Sequence, residues 1–306
     1  MGRGCTGLVA ALAAVVVAVT GCGRAQEPQR TPAPSSSAAA PRPLTDAEHL
    51  RISDARQVLM ERCMRRQGFK FWPAQRLSLE ESRTLGYATE DVTWARKHGY
   101  GSRIRTEEDR ARRTNPNLAY RRTLSSERRS AYDAALDGGL EAPMVSAELP
   151  GGGKVRKRIG GCAAEAERVL YGDPGAWFRL DKTTAGLRPM YVPRVMGDKR
   201  FTEALASWAR CMARAGHPYA DPQEARSAAL ARAAGSGTDE AFTVEREIAV
   251  SDAVCTRTSS LRTVGRQLEA HYLGELRDEY GKALDDHARV QREALRRAER
   301  LAAPRT

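Results

Sequence analysis

A repeated cysteine segment constrains the fold more than any other feature of this chain. The sequence CMRRQGFKF begins at Cys63 and CMARAGHPY begins at Cys211, so cysteine, methionine, arginine, glycine and a final aromatic residue recur in register. A glycine five residues after each cysteine suits the left-handed position that ends a helix. Each segment is therefore predicted to be the last turn of a helix that buries Cys and Met.

A second cysteine follows in each half of the chain, Cys162 in the first and Cys255 in the second. This arrangement predicts a diverged internal duplication. The first helical repeat, with a hairpin, is expected over residues 44–190. The second, which ends in a long C-terminal helix, is expected over residues 191–303.

Disulfide bonds are predicted for these four cysteines, because an even number of cysteines in an exported domain is typical of disulfides. Pairing within each repeat favours Cys63–Cys162 and Cys211–Cys255. The alternative is a crossed pairing of the two matching cysteines, Cys63 and Cys211. No C-x-x-C pair is present, so no metal site is predicted.

The N-terminus predicts export. Arg3 precedes an uninterrupted apolar run of 12 residues, 8–19, whereas a membrane-spanning helix needs ~20. A short apolar run behind a basic start is typical of a signal peptide, here residues 1–21. The alternatives are an ordinary secretory signal and an uncleaved anchor.

The sequence VTGC at residues 19–22 predicts a lipid anchor on Cys22. Small residues fit a peptidase groove, and the cysteine after the cut offers a thiol for acylation. One acyl chain binds a membrane only marginally, whereas the diacylglyceryl group of lipoproteins satisfies the need for two. We therefore expect a cell-membrane location on the extracytoplasmic face, with the lipid bilayer as partner through Cys22.

Residues 22–43 are expected to be a lipidated, disordered tether. They contain PAPSSSAAAPRP and no large apolar side chain before Leu44, so they cannot bury enough surface to fold.

Positive charge bears on the partners of the mature chain. Without Arg3 it carries 49 basic and 38 acidic side chains. One interpretation is that this charge attracts anionic lipid headgroups, an anionic envelope polymer or a protein partner. The stronger interpretation is the composition of a GC-rich genome, because only seven of the basic residues are lysines. No basic block interleaved with aromatics occurs, so nucleic-acid binding is not predicted.

The VTGC segment and the two C-M-x-R-x-G segments resemble a group of uncharacterised secreted lipoproteins of actinobacteria. Similar pieces are WARKHGYG from Trp94, NPN from Asn115 and LYGD from Leu170. The resemblance covers most of the mature chain. It implies an envelope location and this architecture, and it carries over no catalytic residue.

Hydrophobic spacing predicts a mainly α fold with one β-hairpin. A T-x-x-E capping box begins a helix at Thr45, and Ser125 is expected to cap another. Alternation on both sides of Pro150–Gly153 predicts the hairpin. The predicted helices cover residues 46–67, 90–98, 126–135, 163–171 and 201–215.

The C-terminal sequence has the strongest helical pattern. Apolar residues recur every three or four positions from Leu261 to Leu301. They predict one amphipathic helix, or two in line with a bend at Gly274 or Gly281. The apolar stripe is expected to pack on the helix over residues 46–67; the alternative is a partner-binding coiled coil.

Known catalytic motifs are absent from the sequence: there is no G-x-S-x-G, S-x-x-K, H-E-x-x-H or phosphate-binding loop. His271, Glu275 and Glu279 are spaced to share a helical face, but ion pairing explains them better than a metal. His98 and His217, each beside aromatic residues, are the candidates for a cleft. No catalytic residue and no cofactor is predicted.

The sequence therefore favours a non-catalytic binding or scaffolding lipoprotein of the cell envelope. The alternative is an envelope hydrolase that acts on wall or lipid with a site assembled from distant residues. A transporter's solute receptor fits poorly, because alternating strands and helices are missing.

Overall fold

The structure is a computed structural model that describes residues 42–74, 77–82, 86–236 and 239–302. The predicted signal segment 1–21, the acylation residue Cys22 and the tether up to residue 41 lie outside the described residues. Within the described ranges, no helix combines the length and the apolar character that crossing a membrane would need.

The fold is mostly helical with one two-stranded antiparallel hairpin, as predicted. In chain order the elements are α1 Asp46–Arg66, α2 Val92–His98, α3 Ser102–Arg113, α4 Pro116–Thr123, α5 Ser126–Asp137, β1 Met144–Glu148, β2 Lys154–Arg158, α6 Gly161–Tyr171, α7 Pro174–Ala185, α8 Arg188–Gly197, α9 Lys199–Arg214, α10 Pro222–Ser236, α11 Asp239–Thr258, α12 Leu261–Glu275 and α13 Arg277–Ala302.

The two cysteine segments end their helices in the same way. Gly68 has φ +76° and Gly216 has φ +85°. The next backbone N–H donates to the carbonyl of the buried methionine, over 3.0 Å to Met64 and 2.9 Å to Met212. This is the predicted left-handed helix stop, in which glycine avoids the clash of a Cβ.

The other local signals also appear where the sequence placed them. Glu48 N–H donates to the Thr45 hydroxyl over 3.3 Å, and Thr45 N–H donates to the Glu48 carboxylate over 2.7 Å, which is a capping box. Ser125 caps α5, and Gly138 ends it. In the hairpin, Met144 pairs with Arg158 across the two strands.

Three apolar clusters form the interior. The largest surrounds α11 and brings together α2, α8, α9, α10 and α12. A second joins α1, α6 and α13, where Ile52 and Ala55 pack against Ala294 and Ala298. The third contains Met64, Phe69 and Tyr132 around the first disulfide.

The second part of the C-terminal stripe, on α13, packs on α1 as predicted, whereas its first part, on α12, packs on α8 and α9 in the largest cluster. The helix is divided at Leu276, two residues after Gly274, into α12 and α13. Because of this division, Glu279 lies on a different helix from His271 and Glu275, and the common helical face expected for these three residues is interrupted.

Contacts cross the expected boundary between residues 190 and 191. Ala95 and Tyr100 lie in the same cluster as Trp208 and Ile248. The shared geometry of the two helix ends supports the duplication, which stays a prediction for the rest of the two repeats.

Candidate functional site

A groove formed by residues 86–88 and helices α8, α9 and α12 is the candidate binding site. It encloses about 450 Å³, a volume typical of small-molecule sites, which run from about 300 to 1,000 Å³. Its apolar wall includes Tyr87, Tyr191, Val192, Met196, Phe201 and Leu261. The groove thus offers aromatic and aliphatic surface to a ligand.

Helix α8 supplies one wall because of its sequence spacing. Tyr191 and Val195 are four positions apart, as are Val192 and Met196, so these two pairs lie side by side on one face of a helix. Val195 turns into the core, whereas Met196 is 44% exposed.

Gly265 of α12 keeps the groove open. A Cβ at this position would lie 3.6 Å from the Phe201 ring, which is ordinary contact. A longer side chain would therefore extend into the space in front of Phe201.

The wall at residues 86–90 is irregular, and arginine side chains from three helices hold its backbone. Each guanidinium donates to a carbonyl oxygen, which replaces the hydrogen bonds that regular structure would give. The pairs are Arg226 with Gly86 at 3.0 Å, Arg262 with Ala88 at 3.4 Å and Arg257 with Glu90 at 2.8 Å.

Positive charge dominates the edge of the groove. Its charged lining residues are Arg188, Arg262, Arg266 and Glu269. Glu90 lies 3.6 Å from Arg262 and 3.7 Å from Arg266. Arg188 is exposed, and among the described residues no carboxylate lies within ion-pair distance of it, so its guanidinium is available to an anionic ligand.

The two groove tyrosines remain neutral at physiological pH. Burial raises the pKa of Tyr87 to about 12 and raises the pKa of Tyr191 as well. The charge that a ligand meets is therefore set by the arginines and Glu269.

A buried carboxylate, Asp252, organises the core behind this wall. It accepts hydrogen bonds from Trp208 Nε1 at 2.9 Å, the Tyr100 hydroxyl at 3.0 Å and the Thr256 hydroxyl at 3.1 Å. Burial raises the pKa of Asp252 to about 6, although these three donors and the charge of Arg226 oppose the shift.

A second buried carboxylate, Glu245, fixes the turn between α2 and α3. Its Oε1 accepts from Tyr100 N–H at 2.7 Å and Ser102 N–H at 3.1 Å, at the N-terminus of α3. A Cβ on Gly99 would lie 2.7 Å from the same oxygen. Only glycine fits there, because the carboxylate occupies the space of a side chain.

Arg226 connects the buried network to the groove. Its guanidinium lies 5.6 Å from the centre of the Tyr100 ring and also donates to the Gly86 carbonyl. The Asp252 network therefore helps to position the groove wall.

The four predicted disulfide cysteines form two bonds, Cys63–Cys162 and Cys211–Cys255. This is the favoured pairing, and the crossed alternative Cys63–Cys211 is wrong. The first bond ties α1 to α6 and the second ties α9 to α11.

The candidate histidines lie apart from the groove lining. His98 Nε2 lies 3.1 Å from Glu80, and its ring is 5.1 Å from the Trp94 ring. His217 follows the helix stop of α9. The contacts of His98 favour the packing interpretation, and His217 contributes its backbone N–H to the helix stop.

His287 belongs to an aromatic stack between α6, α7 and α13. Trp177 lies between the Tyr171 ring at 4.3 Å and the His287 ring at 5.1 Å. His287 Nε2 lies 3.8 Å from the Asp181 carboxylate, and this proximity is the main cause that lowers the pKa of Asp181 to about 2. In the described residues, no cluster of three or more His, Cys, Asp or Glu side chains could hold a metal ion.

A wider cleft of about 730 Å³ lies beside α3. Its charged residues pair with each other, Arg110 with Glu107 at 3.8 Å and Arg112 with Glu108 at 3.9 Å. Exposed pairs of this kind are common on protein surfaces, so the cleft is the weaker candidate.

Sequence reasoning missed Asp252, Glu245 and the groove. A signal for the two carboxylates exists, since Glu245, Ile248, Ala249 and Asp252 recur at helical spacing on one stripe. An acidic residue on an otherwise apolar stripe indicates a buried, hydrogen-bonded carboxylate.

Comparison of the chain with known protein families, with characterised proteins and with solved structures finds no match.

Proposed function

We propose that the protein is a cell-envelope lipoprotein, held on the extracytoplasmic face of the membrane by acyl chains on Cys22, with a non-catalytic binding role. The observation that carries the binding role is the groove, with its apolar wall and arginine edge. The anchor rests on the VTGC sequence at residues 19–22. The likeness to actinobacterial lipoproteins belongs to the same proposal.

The composition of the groove lining favours binding over hydrolysis. It contains one carboxylate, Glu269, and no histidine, whereas acid–base catalysis needs positioned groups that exchange protons. The buried Asp252 is fully enclosed by its three donors and offers no face to a substrate.

The anchor is tested by replacing Cys22 with serine. Serine lacks the thiol that is acylated, so incorporation of a fatty-acid analogue should fall to background. The protein should accumulate as precursor or appear in the medium. Fractionation and labelling of cells measure both effects. Substitution of Cys5, which lies before the apolar run, is the matched control and should leave labelling unchanged. Equal labelling of the wild type and Cys22→Ser would contradict the anchor.

The non-catalytic role is tested with peptidoglycan, ester and phosphoester substrates, none of which should be turned over. His98→Ala and His217→Ala should each cost only about 1 kcal/mol of stability, because the histidines pack at helix ends. Thermal unfolding provides this measurement. Turnover that either substitution abolishes, with stability unchanged, would establish the hydrolase instead.

A further inference from the structure

We propose that the groove binds a single-chain amphiphile with an anionic head, as a fatty acid or an alkyl phosphate would be. This proposal rests on the proposed binding role and names its ligand class. The proposal is supported by an apolar wall of Tyr191, Met196 and Phe201. This wall lies beside an edge that contains Arg188 and Arg266.

The apolar wall accounts for the chain of the ligand. The burial of apolar surface is favourable and non-directional, so an alkyl chain can be held along its length without directional contacts. Met196 is 44% exposed, and a bound chain would cover it. Methionine adapts its shape to an apolar partner because its side chain is unbranched and flexible.

The arginine edge accounts for the anionic head. Three arginines line the groove against one glutamate. Glu90 compensates part of the charge of Arg262 and Arg266, at 3.6 and 3.7 Å. Arg188 has no such partner among the described residues, and a guanidinium pairs well with either a carboxylate or a phosphate.

Other ligand classes fit less well. A cation would meet the positive edge, and a neutral apolar molecule would make no use of the exposed Arg188 guanidinium. The carboxylate of Glu269 repels an anionic ligand, so removal of its charge is predicted to increase the affinity for an anion.

Calorimetric titration of the full mature chain carrying Cys22→Ser tests the proposal. The probes are dodecanoate, dodecyl phosphate and dodecanol, which share one apolar chain and differ in the head. We expect both anions to bind about 10-fold more tightly than dodecanol, as a charge-assisted contact implies. The two anionic probes distinguish a carboxylate from a phosphate source. Added salt should weaken the binding of the two anionic probes and leave the binding of dodecanol unchanged.

Gly265→Leu should block the groove. Its side chain would extend into the space in front of Phe201 and reduce the affinity for every probe by more than about 10-fold. Gly274→Leu is the matched control, since it lies on the same helix with nothing within 4 Å of its Cβ. It should bind like the parent protein.

Two charge substitutions should act in opposite directions. Arg188→Gln should reduce the affinity for dodecanoate about 5-fold. Glu269→Gln should increase this affinity about 2-fold, because it removes a repulsion between two negative charges. Neither substitution should change the affinity for dodecanol. Arg105→Gln, at an exposed position on α3, is the control and should have no effect. If Arg188 and Glu269 had a purely structural role, each substitution would change the affinities for all three probes by the same factor.

Equal affinities for dodecanoate and dodecanol would overturn the proposal that the ligand has an anionic head. Unchanged binding in Gly265→Leu, with its fold intact by circular dichroism, would overturn the site. Neither result touches the lipid anchor, whose failure shows only in the labelling of Cys22.

Discussion

Replacing Asp252 with alanine is expected to lower the free energy of unfolding by about 3–5 kcal/mol, since each buried group left without a partner costs about 1–3 kcal/mol. The Trp208 indole and the Tyr100 hydroxyl would lose their acceptor in the core. The Thr256 hydroxyl, one turn along α11, loses the same partner.

Asp252→Asn should be far milder. The amide oxygen can still accept from Trp208 and Thr256, and the amide nitrogen can donate to the Tyr100 hydroxyl. Urea unfolding of the two variants and of Asp278→Ala, an exposed control on α13, measures the difference. The control should stay within about 0.5 kcal/mol of the wild type. A loss below about 1 kcal/mol for Asp252→Ala would contradict the network.

The raised pKa of Asp252 gives the wild type a defined pH dependence. Below about pH 3 the carboxyl is mostly protonated in both states. As the pH rises towards 6, the unfolded chain ionises while the buried carboxyl retains its proton, because its pKa is about 6. The free energy of unfolding therefore falls by about 3 kcal/mol across this window and then levels off. Asp252→Asn lacks this contribution, and identical profiles would contradict it.

Removal of the Cys63–Cys162 bond by a paired alanine substitution should cost about 4–5 kcal/mol. The two cysteines are 99 residues apart, and in the chain-entropy model a cross-link over ~100 residues restricts the unfolded chain by about 4.7 kcal/mol. The Cys211–Cys255 bond spans 44 residues, so its removal should cost slightly less, about 4 kcal/mol.

Thermal and urea unfolding of the two paired variants measure these costs, with the reduced wild type as the common reference. Both variants and the reduced protein should unfold at lower denaturant concentration than the oxidised wild type. Losses below about 1 kcal/mol would show that the unfolded chain is already compact, or that the bonds strain the native state.

The parts of the fold that the sequence predicted are those with local causes. The Schellman-type stops after Met64 and Met212 depend on glycine at Gly68 and Gly216. The hairpin depends on alternation and a glycine-rich turn. Such signals lie within a few residues, so they can be recognised without knowledge of the rest of the chain.

The groove and the buried carboxylates have non-local causes. Asp252 meets Tyr100, which lies 152 positions earlier. The groove wall at Gly86 is held by Arg226, 140 positions later. No local pattern specifies these partners. The apolar stripe of α11 indicates that Asp252 is buried, but in a chain rich in arginine Arg226 resembles a solvated surface charge.

The packing of α13 on α1 has a consequence for biosynthesis. α1 is made well before its apolar partners Ala294 and Ala298 of α13, whereas Leu170 of α6 joins the same cluster from a position between them. The cluster that contains Ile52 and Leu170 therefore cannot close until α13 has been synthesised. Until then the part of α1 that α13 covers stays exposed to other chains and to proteases. A product truncated before α13 would keep the contact between α1 and α6 but leave that part of α1 uncovered.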